Sequence, residues 1–361
     1  MSEELSIVIN PQDIVFTKEN IKNKTLGKGL CGLENFGNTC YMNSIVQCLS
    51  HTESLREFFL LDAYKETLHT DKIQYIMVNE FNKLLRGLWY ENAVVTPKSF
   101  FQYLQVLSVK CGSGVFAGNN QNDSSELLVF ILDCFHEALT SSITDEFIEK
   151  TGLSGDALTH YQANHSWHSI FKKSMSPIVS MFYNQLHVEI TCAKCHEVSV
   201  SNDPISILHL PIPSTFSGQV ATLYDCLDHL TTSETFDDDN LYKCDKCGMD
   251  SNAHRQEKIY KTSTHLIICF KRFSKTGEKN HAPILFPVEN LDLSKYTICK
   301  DNTQYKLYAI SNHIGSLNSG HCFSYVESCG NWYEFNDIFV RGLERDKVVT
   351  NSAYVLFYKK I

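Results

Sequence analysis

Cys40 follows the turn Gly32-Leu-Glu-Asn-Phe-Gly-Asn-Thr and opens a run to Ser50 in which Ile45, Val46, Cys48 and Leu49 recur at helical spacing. The reading is a thiol in the first turn of a helix, with Thr39 or Asn38 as its N-cap. Unpaired N–H groups and the positive end of the helix dipole favour a thiolate there. The same N–H groups can donate to an oxyanion, and the Asn35 amide is a second candidate donor. On residue chemistry alone, a small core cysteine fits the position as well.

A nucleophilic thiol needs a base. The chain has 15 His, so the presence of one selects nothing; the surroundings of His321 do. Asn312-His313-Ile-Gly-Ser-Leu-Asn-Ser-Gly320-His321 reads as a strand, a small-residue loop and a new strand. Trp332-Tyr-Glu-Phe-Asn336-Asp337 follows as the next strand of a hairpin and can hand an Asn or Asp side chain to the imidazole. The order Cys, His, Asn/Asp is that of papain-like thiol enzymes. Asn336 and Asp337 are neighbours, so on a regular strand they face opposite sides and one of them points at His321. His313 is the competing base and reads as structural.

Cys192-Ala-Lys-Cys195 and Cys244-Asp-Lys-Cys247 are two CxxC turns. Each turns two sulfurs toward one ion, and two such turns complete the four-thiolate shell of structural zinc. A single CxxC could be a redox motif. With all four positions filled by cysteine, the metal is structural and not catalytic. The long gap between the pairs requires the ion to tie two distant hairpins, and His187–Thr191 with Val198–Val200 reads as one of them.

These groups must be positioned by a chain of 361 residues, 43% hydrophobic and 20% charged, the balance of a globular protein. That size calls for one enzyme-sized unit with subdomains, or for two domains. After a polar N-terminal extension, 1–29, with one strand expected around Leu5–Ile9, helical patterns follow at 40–50, 71–90, 98–109 and 123–139. The stretch 141–180 is mixed. From about 185 the pattern turns to strands: 187–191, 206–212, 265–271, 306–313, 322–327 and 353–358. Helices first and strands second make an α+β fold. With 32 Lys+Arg against 41 Asp+Glu the net charge is -9, which favours a basic partner over a phosphate-tracking one. Met1 to Gln12 lacks a basic start and a long apolar run, and no window approaches a membrane span, so cytosol or nucleus is the expected site. The 14 Cys then point to metal or catalytic use before disulfides.

The segment Gly32–Leu49 resembles the cysteine box of the ubiquitin-specific proteases, papain-like deubiquitinases, and Tyr305–Tyr358 resembles their histidine box. Gln121-Asn-Asp-Ser-Ser-Glu is similar to the family's helix-opening motif, Leu266–Phe273 to its palm strand, and the CxxC pairs to its zinc-bearing fingers. The resemblance runs from about Gly29 to Lys359. It implies a helical thumb at about 30–180, fingers at about 185–265 and a β-rich palm in the remainder of a catalytic domain spanning 30–361. It implies ubiquitin as partner and hydrolysis after its C-terminal glycine, with Cys40 as nucleophile and His321 as base. Asn336 is then the orienter, Asp337 a flanking charge, and Asn35 with the Cys40 N–H the oxyanion donors. Gln121, Asp123 and Glu126 would line the groove for ubiquitin's tail; by spacing alone, Asp123 and Glu126 are an N-cap and a capping-box carboxylate. Cys322 departs from the pattern, standing where the family has Tyr, as do Ser319 for a second Gly, Asn184 for Gly and Asn122 for Gln.

Alternatives are a protease for a ubiquitin-like modifier, a catalytically silent ubiquitin-binding scaffold and a zinc-ribbon nucleic-acid binder. The presence of Cys40, His321, Asn336 and Asp337 argues against silence. The last needs a basic stripe, whereas Lys194, Lys243 and Lys246 are offset by Glu197 and the acidic run 237–239.

Overall fold

The computed structural model describes residues 29–90, 93–214, 220–237, 240–274, 276–316 and 319–361. The expected strand at Leu5–Ile9 and Asp238 and Asp239 of the acidic run lie outside the described residues. The chain forms two compact units, one of residues up to Leu139 with Ala309–Val348, the other of Thr140–Tyr308 with Val349–Ile361.

In the first unit, helices span Cys40–Ser50, Glu53–Leu60, Tyr75–Tyr90, Lys98–Lys110 and Ser124–Ala138. Their apolar stripes meet in a core where Phe59, Phe81 and Phe135 pack with ring centroids 5.1 to 5.2 Å apart. Such rings contribute about 0.5–1.5 kcal/mol per pair beyond the area they bury. The Cys40–Ser50 helix differs from the others, because every one of its residues is buried. Its polar side is tied into the interior: Gln47 Nε2 donates to the Cys31 carbonyl at 2.8 Å, and the Ser44 and Ser311 hydroxyls lie 2.6 Å apart. A buried polar stripe is tolerated only with such partners.

The same unit holds an antiparallel meander. Ala309–Gly315 pairs with Gly320–Ser328, which pairs with Asn331–Asn336, which pairs with Phe339–Leu343. The hairpin between Ser328 and Asn331 turns on Cys329 and Gly330, both at positive φ (55° and 80°), as a tight two-residue turn requires. The short strand Gly32–Leu33 runs parallel to Val94–Val95.

The second unit has a four-stranded antiparallel sheet in the order Val198–Ile205, Asn184–Cys192, Ala253–Lys261, Glu234–Phe236. His265–Phe270, buried along its whole length, pairs antiparallel with Ala353–Lys360 and parallel with Leu208–Leu210. The strand read over 206–212 is therefore shorter than expected. The weakly patterned 141–180 stretch contains helices at Gly155–Phe171 and Pro177–Phe182. The first buries only Ala163 and Phe171, and hydrogen bonds help to seat it: His160 Nδ1 with the Tyr260 hydroxyl at 3.0 Å, and Ser166 Oγ to the Asn202 carbonyl at 2.9 Å. Among the described residues helices and strands largely segregate along the chain as an α+β fold, with the α-helix Leu223–Thr231 and a short 3-10 turn, Arg345–Lys347, among the strands.

Candidate active site and metal centre

Cys40 is the first residue of its helix and 5% exposed. Thr39 occupies the N-cap position, yet its side chain does not cap. Its hydroxyl instead donates to Asn35 Oδ1 at 3.0 Å and accepts from the Phe36 N–H at 3.0 Å. The turn is closed by Gly37 and Asn38, both at positive φ. The helix end carries no acidic side chain in its first turn, which keeps its field available to an anion.

His321 Nε2 lies 2.7 Å from Asn336 Oδ1. An amide oxygen only accepts, so Nε2 carries the proton, and in the neutral imidazole Nδ1 is left as the acceptor. The imidazole also hydrogen-bonds with Cys40. The Cys40 thiol is brought down to about 5, chiefly by a hydrogen bond from the Cys322 thiol, against burial and with help from His321. His321 is raised to about 9 by its bond with Cys40, against burial and with help from Asn336. The two shifts describe a thiolate–imidazolium pair.

Asp337 makes its hydrogen bonds away from that pair, while its charge adds to the rise in the His321 pKa. It leaves the strand at φ 50°, in the left-handed region, so simple alternation no longer governs its side chain. Oδ2 accepts from Asn35 Nδ2 at 2.9 Å, and Oδ1 from Asn43 Nδ2 at 2.8 Å. Asn35 Oδ1 in turn accepts from the Gly37 N–H, the Thr39 N–H and the Thr39 hydroxyl at 2.9 to 3.2 Å. The Asn35 amide is thus held at both ends, with one of its two Nδ2 hydrogens left to offer. The turn is seated against the first strand: the Leu33 N–H donates to the Asp337 carbonyl at 2.8 Å, and a Cβ on Gly32 would come within 2.3 Å of the Ile338 carbonyl oxygen.

Gln121 does not reach into open space. Its Nε2 donates to the Gly320 carbonyl at 2.9 Å, and its Oε1 accepts from the Gly320 N–H at 2.8 Å, a two-point clamp on the residue before the base. Asp123 caps the Ser124–Ala138 helix, accepting from the Ser125 and Glu126 N–H groups at 2.6 and 3.3 Å. Glu126 is exposed, and partial burial, aided by Asp123, raises its carboxyl above the usual range. His313 lies beside Gly320, where a Cβ would meet its Nε2 at 2.4 Å.

The residue that sequence reasoning passed over is Asn43; Thr39, expected as an N-cap, turns its hydroxyl to Asn35, and Cys322 reads in sequence only as a departure from the family pattern. Asn43 had one signal, an amide on a helix otherwise rich in apolar residues and one turn from the thiol.

In the second unit Cys192, Cys195, Cys244 and Cys247 bring their sulfurs within 4.8 Å of one another, a cluster able to hold a metal ion. The two turns have the same backbone. In each, the first cysteine's carbonyl accepts from the N–H four residues on, at 3.0 and 2.8 Å, and that fourth residue, His196 or Gly248, has positive φ. A tetrahedral ion with bonds of about 2.3 Å sets sulfur–sulfur edges of roughly 3.8 Å. Cys195 and Cys244 stand 3.6 Å apart, so the cage fits such an ion. Cys192 and Cys244 are buried, and Ser251 Oγ lies 3.2 Å from the Cys192 sulfur.

Residues 31–358 match the family model described as ubiquitin carboxyl-terminal hydrolase. The chain is 34% identical over 344 residues to the Drosophila melanogaster protein named ubiquitin carboxyl-terminal hydrolase Usp2, covering 92% of this chain and 35% of that protein. It is 33% identical over 352 residues to ubiquitin carboxyl-terminal hydrolase 2 of Bos taurus, covering 93% of this chain and 56% of the relative. It therefore spans between about a third and a little over half of these relatives' length. Among solved structures, the SAGA Ubp8/Sgf11/Sus1/Sgf73 DUB module bound to ubiquitin aldehyde matches with a TM-score of 0.69 at 25% identity, covering 98% of this chain and 73% of that one. No helix among the described residues is long and apolar enough to cross a membrane.

Proposed function

This chain belongs to the ubiquitin carboxyl-terminal hydrolase family, and from that membership we propose that it is a thiol-dependent hydrolase that cleaves the amide or isopeptide bond after the C-terminal glycine of ubiquitin. The observation that carries the reading is the 2.7 Å bond from His321 Nε2 to Asn336, which leaves Nδ1 for a cysteine at an open helix start. The match to a module bound to ubiquitin aldehyde supports the same substrate.

Cys40 thiolate attacks the glycine carbonyl carbon. The developing oxyanion takes hydrogen bonds from the Cys40 N–H and the remaining Asn35 Nδ2 hydrogen, each such donor being worth about 3 kcal/mol in acyl transfer. The imidazolium of His321 gives its Nδ1 proton to the leaving lysine amine, and the C–N bond breaks to leave a thioester on Cys40. Water, deprotonated by the now neutral His321, then hydrolyses the thioester. Asn336 holds the ring, and Asp337 acts through Asn35 and Asn43. Gln121 supports the loop of the base, and Glu126 with Asp123 offers negative charge to the arginines of ubiquitin's tail. Zinc held by Cys192, Cys195, Cys244 and Cys247 would supply a rigid cross-link and no chemistry. The division into thumb, fingers and palm belongs to the same proposal.

The test uses ubiquitin and ubiquitin-like probes with C-terminal electrophiles. The expected result is a ubiquitin adduct on Cys40, lost in Cys40→Ala while that variant still binds ubiquitin. Preferential labelling by a ubiquitin-like probe would move the substrate to that modifier, and no adduct with any probe would overturn the reading.

A further inference from the structure

Cys322 occupies the strand position after the base, and the sheet register fixes where it faces. Ser311 pairs with Ser324 and His313 with Cys322, so these four side chains share one face of the sheet. The Ser44 hydroxyl touches Ser311 on that face at 2.6 Å and donates to the Phe323 carbonyl at 3.3 Å. Cys40 lies one helical turn before Ser44, and Cys322 lies two residues before Ser324. Each step is about 6 to 7 Å. The two cysteines meet at one end of the helix–strand contact, where the Cys40 thiol takes hydrogen bonds from both the side chain and the backbone of Cys322. Both are 5% exposed, and the Cys322 thiol hydrogen-bonds to the Cys40 sulfur.

We infer that Cys322 is a resolving cysteine that captures oxidised Cys40 in a reversible disulfide, a modification site that shields the nucleophile from irreversible oxidation. The inference deepens the proposed function and rests on it for its consequence, though not for its chemistry. The oxidant is a peroxide. The Cys40 thiolate attacks one peroxide oxygen, the O–O bond breaks, Cys40 becomes a sulfenic acid, and the leaving hydroxide takes the His321 imidazolium proton and departs as water. The Cys322 sulfur attacks the Cys40 sulfur, the S–O bond breaks, and the departing hydroxide takes the Cys322 proton to leave as water. The sum is two electrons from two thiols to one peroxide. A dithiol reductant reverses the second product to two thiols. A tyrosine at this position, as in the resembling family, could not close this bond.

The experiment treats the purified full chain with hydrogen peroxide, blocks remaining thiols, and digests without reduction. Mass spectrometry should find the Cys40 and Cys322 peptides joined, two hydrogens lighter than their sum, and separated again by dithiothreitol. In Cys322→Ser the joined species should be absent and Cys40 should accumulate as sulfinic acid. Probe labelling after peroxide and dithiothreitol should then be several-fold higher in the wild type than in the variant. Cys322→Ala serves as a second variant should the serine protein fold poorly. Unlinked peptides, linkage of Cys40 to another cysteine, or equal recovery in both proteins would overturn the inference. Because linkage is read by mass, a reduced enzyme that labels with no ubiquitin probe would sink the hydrolase reading while leaving this one standing.

Discussion

Asn336 and Asp337 are adjacent in the chain and do different things. Asn336 holds the imidazole directly, whereas Asp337 holds the Asn35 amide at 2.9 Å and Asn43 at 2.8 Å. Asn336→Ala should therefore lower the apparent basicity of His321 and pull in the alkaline limb of the rate profile. Asp337→Ala removes only a smaller Coulombic contribution to the His321 pKa, so it should move that limb less and lower kcat by up to the 10²–10³-fold typical of a lost oxyanion donor. Pre-steady-state rates of both variants across pH separate the two roles, and a larger alkaline-limb shift in Asp337→Ala than in Asn336→Ala would reverse them. For the unmodified enzyme, activity needs Cys40 ionised and His321 protonated. It should rise as pH passes about 5, where Cys40 loses its proton, and fall as pH passes about 9, where the imidazolium loses its own. A profile of kcat/KM against pH with both limbs near 7 would contradict the ion pair. Which of the two neighbours faced the base could not be settled from sequence, because the answer depends on the left-handed backbone at Asp337. That conformation is held by the packing of Gly32 and Leu33 on the turn, a contact between distant parts of the chain.

At the scale of elements, the strongly periodic pieces were readable. The helices expected at 40–50, 98–109 and 123–139 are observed at Cys40–Ser50, Lys98–Lys110 and Ser124–Ala138. The hairpin strands around His321 and Trp332 likewise follow the β-branched and aromatic runs. What could not be read was the part played by polar side chains between elements. Gln121, expected to line a substrate groove, clamps the backbone of Gly320. Gln121→Ala should then reduce kcat more than it raises KM, since it frees the loop carrying His321 and removes no substrate contact. A change confined to KM would return Gln121 to the groove. Asp123 does what its spacing alone suggests, capping a helix. Asp123→Ala should cost about 1 kcal/mol of stability by denaturant titration, and a variant as stable as the wild type would show that other groups cap that helix.

At the scale of the molecule, the cysteine pattern carried information that hydrophobic periodicity did not. The two CxxC turns are far apart in sequence, yet they meet with the same local backbone and sulfurs within 4.8 Å. The surrounding secondary structure shows what a bound ion would do there. The second turn sits between Tyr242–Lys243 and Asp250–Ser251, strands of two residues each. So short a hairpin is not stable by its own hydrogen bonds. The first turn caps the longer pair Asn184–Cys192 and Val198–Ile205, which holds its register through eight residue pairs. Metal binding supplies about 10–16 kcal/mol to isolated zinc modules, enough to fix the weak hairpin onto the strong one. One zinc per chain is the expected result of metal analysis, and Cys195→Ser should lose it. Removal should act unevenly. Amide exchange should rise first across 242–251, while the strands 184–192 and 253–261 keep most of their protection. The Cys40–His321 pair lies wholly in the other unit, so the thiol should retain its low pKa toward a small alkylating agent. Uniform loss of protection through both units on chelation would mean that the ion holds the whole fold, and unchanged exchange at 242–251 would mean that it holds nothing.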